Sequence, residues 1–403
     1  MTLEAQRTGD KLPARIPELD GLRGMAILLV LIWHYFVNVV GIEGDTFISH
    51  LARRLSLTWS GVDLFFVLSG FLIGGILIDN KEATNYFKVF YIRRTCRIFP
   101  LYFSWIALFL VLTTAFSSSF SPSIRDVFSN PLPMWSYLSF TQNIVMSLKG
   151  IWGPPWFGIT WSLAIEEQFY LLLPLMIRFA PRNRLPYLLI FGILAAPIIR
   201  VALYNFHPNF MLSTYVLMPC RTDSLLLGVL GAYLVRHDFV MRSLTANILP
   251  LYGVLSLLVA GIAILTLTPA WVGSMGASYL GYSWLALTYL LFLLISITER
   301  RGIVTAISRN QLLRKLGNIS YGVYLFHQPA NQLCHGIILK QPPQLGTLSG
   351  VLTTLLALLV TLAVAYLSYT FFEKKFLKLG HSFRYVGPSA RVGLATEAVQ
   401  FQV

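Results

Sequence analysis

Residues 19–41 read LDGLRGMAILLVLIWHYFVNVVG. The stretch is long and apolar enough to cross a bilayer, which takes about 20 residues. It nevertheless holds Arg23 near its start and His34 in its interior. Ionisable groups within a span are costly and are usually there for function. The two lie eleven positions apart. At about 100° per residue a helix returns them to within roughly 20° of one face, about 16 Å apart along its axis. One stripe of this helix then carries a fixed cation at one end and a titratable base part-way across.

The rest of the chain fits a membrane setting. Of 403 residues 56% are hydrophobic and only 12% charged, half the share usual for soluble domains, and the mean hydropathy is +0.66. A net charge of +14 would suggest nucleic acid in a soluble protein, but a polytopic chain leaves no free face for a basic patch. Cys96, Cys220 and Cys334 are scattered and lack CxxC spacing, so neither a disulfide framework nor a metal site is expected. A polar tail, residues 1–15, precedes the first span and no small-residue cleavage site follows it, so no cleavable signal peptide is expected.

Further apolar stretches of spanning length lie near 59–78, 97–116, 161–180, 186–203, 216–235, 247–268, 276–297, 316–339 and 348–371. With the first, near 22–41, they make ten. With a cytoplasmic N-terminus, 23 of the 31 Lys and Arg residues fall on the inner side, as the positive-inside rule requires. The expected fold is therefore an all-α, polytopic membrane bundle of about ten transmembrane helices with both termini cytoplasmic. Its membrane domain is 16–376, followed by a flexible cytoplasmic tail, 377–403. The segment 131–148 reads as an interfacial loop within a long outer loop, 117–160. There Trp135, Trp152, Trp156 and Trp161 fit an aromatic belt or stacking platforms for a sugar.

Orientation converts position into depth. His34, Asp63, the pair Glu166–Glu167, and Arg221 with Asp223 fall in the outer half, with His327 near the middle above Tyr324. Arg23, Arg93, Arg94 and Arg97 gather at the inner mouth. Clustered guanidiniums suit a phosphate-rich anion, and a histidine beside a carboxylate suits general base catalysis. Each group also has a plainer reading. Arg93 is better placed as a topogenic charge, whereas Arg94 and Arg97, three apart, share a face. Asp63 could complement the start of its helix, Arg221 and Asp223 could be structural ion pairs, and His327 before Gln328-Pro329 could mark a kink. Glu166 and Glu167 point in different directions, so one at most faces the site.

The ordered set IPELDGLRGMAILLVLIWHYF, GVDLFFVLSGFLI, FYIRRTCRIFPLYF, WSLAIEEQFYLLLPL, RTDSLLLG and GNISYGVYLFHQP resembles acyltransferase family 3, integral membrane proteins that acylate sugars and other cell-envelope acceptors. The resemblance runs from about Ile16 to Phe376. It implies a bacterial inner-membrane enzyme that carries an acyl group, usually acetyl, from cytoplasmic acyl-CoA to an extracytoplasmic or lipid-linked sugar. It also implies functional roles for Arg23, His34, Arg94 and Arg97. Acetyl-CoA is then a donor substrate rather than a resident cofactor, and any esterase-like extracytoplasmic partner is a separate protein. On this reading Arg23, Arg94 and Arg97 hold the donor's phosphates. His34 is the base or transient acyl carrier, oriented by Asp63 or Glu167, and Tyr324 or Arg221 meets the oxyanion. Asp223, His327 and Trp156, with Arg221, are the expected acceptor contacts. The alternative is a transporter or flippase for a polyprenol-linked glycan or anionic solute, using the same arginines for phosphate and His34 with Asp63 for proton coupling.

Overall fold

The computed structural model describes residues 16–41, 44–116, 122–206, 209–267 and 277–387. Among these every regular element is helical. Ten principal helices follow in order: α1 (Pro17–Val40), α2 (Gly61–Asp79), α3 (Tyr86–Phe116), α4 (Trp161–Phe179), α5 (Leu185–Phe206), α6 (Met218–Leu234), α7 (Ile248–Leu267), α8 (Tyr282–Thr298) and α9 (Ser320–Ile338), then α10 (Leu348–Ser382). Each expected span coincides with one of them. Among the described residues six stretches are long and apolar enough to span, and a pair bent by 98°, Phe210–Leu234 with Asp238–Ala246, would make a seventh if it forms one span. Of the remainder, α4 and α9 are less apolar because they carry polar groups of the interior, whereas α7 is apolar but short over Ile248–Ile264.

Polar anchors and glycines explain the packing. α2 sits at the centre, with 78% of its most apolar window buried, and lies backbone to backbone with α6. A Cβ added at Gly70 would stand 1.9 Å from the Leu225 carbonyl oxygen, and one at Gly228 would stand 2.1 Å from that of Val67. Only glycine admits this approach, the small-residue contact by which helices associate without a hydrophobic drive from water. Across the same contact the buried Asp63 carboxylate pairs with Arg221 and accepts from Ser224 Oγ at 3.3 Å. Next to it Arg200 of α5 meets Asp223 at 2.9 Å, and Ser283 of α8 donates to that carboxylate at 2.5 Å. These fully buried pairs tie four helices together.

Two local departures bear on function. α1 widens into a π turn over Trp33–Val37, where the Asn38 N–H reaches back to the Trp33 carbonyl. Single π turns of this kind often occur at functional sites. α3 starts at Tyr86, well before the apolar run that defines its span, so Arg93, Arg94 and Arg97 stand on a formed helix. Segment 131–148, expected as a loop, contains the short helices Met134–Leu138 and Gln142–Lys149. The tail expected to be flexible after Phe376 is structured as far as Gly387; residues 388–403 lie outside the described residues.

Candidate functional site

Three cavities stack along the bundle axis and share walls. A small mouth lies between α3 and the end of α10, lined by Arg93, Arg94, Arg97, His381 and Tyr385. Arg94 and Arg97 also line the next chamber, of about 110 Å³, with Arg23, Ser69, Glu166 and Tyr170. That chamber shares Val62 and Tyr324 with a wider outer one of about 840 Å³, which holds His34. The column thus runs from a cluster of guanidiniums to an imidazole, with Tyr324 at the partition.

The arginines divide by partner. Arg93 donates from Nε and Nη2 to the Phe383 carbonyl at 3.0 and 2.7 Å, so it fastens the C-terminal segment. Arg23 has Asp20 one turn back at 3.6 Å. Arg94 and Arg97 make no hydrogen bond or ion pair among the described residues, although both face two cavities. Half-buried guanidiniums with no carboxylate in ion-pair contact, Glu166 sharing their chamber at longer range, can still take an anion.

At the other end His34 belongs to a chain of hydrogen bonds that fixes its protons. His327, fully buried, places Nδ1 at 2.6 Å from the Tyr324 carbonyl oxygen and 3.2 Å from that of Val323. Carbonyls only accept, so Nδ1 of His327 bears the proton and Nε2 is left with a lone pair. That Nε2 faces Nδ1 of His34 at 3.2 Å, and the same His34 nitrogen lies 3.0 Å from the Val30 carbonyl. Between two acceptors, Nδ1 of His34 must itself carry a proton, which leaves its Nε2 free to take one. Tyr35, the next residue of the π turn, donates to the His327 carbonyl at 2.8 Å and meets Thr361 Oγ1 at 2.8 Å, locking the histidine pair to α9 and α10.

Other expected site residues fall elsewhere. Asp63, placed beside His34 by its depth, is held by Arg221, and the Arg221 guanidinium also lies 3.9 Å from the centre of the Tyr282 ring. Neither is disposed to serve His34. Asp223 is taken by Arg200 and Ser283. His327, read as an acceptor contact, touches neither chamber and contacts His34 instead. Glu167 points away, its Oε1 buried without a partner, whereas Glu166 lines the inner chamber. Trp156 packs against Trp105, their rings 4.0 Å apart and nearly parallel, and is off the chamber wall. Trp152 and Trp161 are on it, joined by Trp33, Trp59, Tyr215 and Tyr282.

Ser69, Tyr170 and Ser162 were not singled out in the sequence. Ser69 Oγ and Tyr170 Oη are 2.6 Å apart in the inner chamber, and Ser162 Oγ lies 2.6 Å from Tyr324 Oη. Their spacing alone carries no signal, because short hydroxyl residues are common in spans and only the packing of α2, α4 and α9 brings these together.

Comparison with known proteins identifies the family. A family profile described as an acyltransferase domain matches residues 16–370. The O-acetyltransferase OatA of Staphylococcus aureus, in strains NCTC 8325 and COL, is 28% identical over 386 residues, covering 91% of this chain. The chain spans 58% of the length of these curated relatives. No solved structure matches. The profile covers nearly all of the described bundle, and the chain belongs to acyltransferase family 3.

Proposed function

We propose that the protein is an integral membrane O-acyltransferase of the bacterial inner membrane, with ten spans and both termini cytoplasmic. It moves an acyl group, acetyl in the first instance, from cytoplasmic acyl-CoA to a hydroxyl of an extracytoplasmic or lipid-linked sugar. The observation that carries this reading is the column itself. Arg94 and Arg97, without an ion pair among the described residues, line both the mouth and the inner chamber, and that chamber shares Tyr324 with the outer one, which His34 lines. Coenzyme A has matching parts, phosphates at one end and a thioester at the tip of a thin arm.

The residues suggest the steps. Arg94 and Arg97, with Arg23 above them, bind the phosphates, and the pantetheine arm extends through the inner chamber towards Tyr324. The acceptor occupies the outer chamber, whose wall of indole and phenol rings with the amides of Gln328, Asn331 and Gln332 holds no Asp, Glu, Lys or Arg among the described residues. Ring faces and amides suit an uncharged, hydroxyl-rich ligand. Nε2 of His34 takes the acceptor's hydroxyl proton as that oxygen attacks the thioester carbonyl. The C–S bond then breaks, and the thiolate leaves with the proton that His34 returns. The His327 lone pair stabilises the imidazolium formed in between. Tyr324, whose hydroxyl now rests 2.9 Å from the Ile159 carbonyl, is placed to turn and donate to the oxyanion.

The test uses membrane vesicles containing the protein, labelled acetyl-CoA and crude envelope glycan. Label passing to glycan, and lost in His34→Ala, is the expected result. Solute uptake with no acyl transfer would favour the transporter instead.

A further inference from the structure

The family match ends at residue 370, yet the chain beyond it builds part of the mouth. Helix α10 continues to Ser382, and Gly380 is pressed onto α3, where an added Cβ would stand 3.1 Å from that of Cys96. The following residues run back across the inner surface as a fastened strap. Besides Arg93 on the Phe383 carbonyl, Asn85 Nδ2 donates to the Arg384 carbonyl at 2.9 Å, and Val386 N donates to Asn85 Oδ1 at 2.9 Å. The Thr84 N–H closes the set on the Val386 carbonyl at 2.9 Å. A segment with no place in the membrane is thus held in one position beside Arg94 and Arg97.

The strap carries one unexplained group. The hydroxyl of Tyr385 is buried and has no hydrogen-bond partner among the described residues, while its ring, with the Arg93 guanidinium 5.3 Å from the ring centre, forms part of the mouth's wall. A buried O–H left unmade costs about 1–3 kcal/mol, so such groups call for a ligand atom. Arg94 and Arg97, which line the same mouth, also make no hydrogen bond among the described residues. A phosphate oxygen entering this mouth would offer an acceptor to all three groups.

We infer that residues 377–387 form the cytoplasmic wall of a nucleotide-phosphate site, in which Tyr385 Oη donates to a phosphate that Arg94 and Arg97 also hold. The ligand class is the adenosine bisphosphate end of the acyl donor. This rests on the acyl-CoA reading above and adds a binding residue from outside the family-matched segment.

The experiment compares wild type with Tyr385→Phe, which removes one hydroxyl and keeps the ring against Arg93. A second variant is truncated after Ser382. Transfer is measured with acetyl-CoA and with S-acetylpantetheine, which has the thioester but no nucleotide. Binding of adenosine 3′,5′-bisphosphate to the purified protein is followed by its thermal stabilisation. Tyr385→Phe should raise KM for acetyl-CoA about tenfold, as expected for one hydrogen bond to a charged group, and truncation by at least as much. The S-acetylpantetheine parameters should not move, and stabilisation by the bisphosphate should weaken in both variants. Equal acetyl-CoA KM and equal bisphosphate binding in wild type and Tyr385→Phe would overturn the inference. If wild type transfers no acetyl from acetyl-CoA, the acyltransferase reading fails, and the bisphosphate measurement still decides whether the mouth binds a nucleotide through Tyr385.

Discussion

Replacing His327 by Leu removes one of the two acceptors facing His34 Nδ1–H, leaving the Val30 carbonyl at 3.0 Å, while filling most of the space. In the resting enzyme the lost bond, 3.2 Å between the two rings, is between neutral groups and is worth about 1 kcal/mol. In the transition state His34 is becoming an imidazolium, and a hydrogen bond from a charged donor is worth about 1.5–3 kcal/mol. Only the difference, about 0.5–2 kcal/mol, reaches the rate, which corresponds to a loss of roughly 2- to 30-fold in kcat. His34→Ala removes the base itself and should lower the rate by about 10²–10⁴. The double variant should then be no slower than His34→Ala, because His327 acts only through His34. His327→Gln, which restores a carbonyl acceptor, should recover part of the loss. The assay is acetyl transfer in vesicles under donor saturation, with each variant's folded fraction measured by size-exclusion chromatography. Multiplicative losses in the double variant would refute this reasoning, since His327 would then act on substrate or packing independently of His34.

Three shorter predictions follow from the same geometry. Arg94→Ala should raise KM for acetyl-CoA by about 10- to 100-fold with little change in kcat, as for loss of a charge-assisted pair; a kcat effect alone would place Arg94 elsewhere in the mechanism. Asp63→Ala leaves the buried Arg221 unpaired and should destabilise the bundle by about 3–5 kcal/mol, seen as a lower melting temperature in detergent, while protein that does fold keeps a working His34. An unchanged melting temperature would rule out the structural assignment of Asp63. If neutral His34 is the base, as proposed, the rate should climb with pH through a single ionisation and then level. A rate that declines from acidic to neutral pH would contradict a histidine base.

Much of this was legible in the sequence because membrane spans are written in long runs. The ten apolar stretches each fall on a helix, six or seven of them long and apolar enough to span, and Arg23 and His34 line successive chambers of one column. The Arg94-x-x-Arg97 spacing placed two guanidiniums on one face, and both line the chamber. Partner choice was far less readable. Depth put Asp63 and His34 at one level, but depth says nothing about angle around the bundle. The close glycine contact at Gly70 and Gly228 turns Asp63 towards Arg221 instead. The choice of Glu167 over Glu166 failed to match the chamber lining for the same reason, since adjacent residues differ only by helix phase. The π turn at His34 has no sequence signature, yet it lets His34 and Tyr35 both reach His327. His327 itself was visible as a buried ionisable residue, but its contact with His34 depends on how α1 meets α9.

The central claim is that the donor enters from the arginine mouth and brings its thioester to His34 through the partition at Tyr324. A cryo-EM structure with a non-transferable acetyl-CoA analogue in which a methylene replaces the thioester sulfur tests it most directly. The account predicts phosphate density on Arg94 and Arg97, the arm through the chamber lined by Glu166 and Tyr170, and the acetyl carbon beside Nε2 of His34. Nucleotide density in the outer chamber, or an arm that ends away from His34, would contradict it.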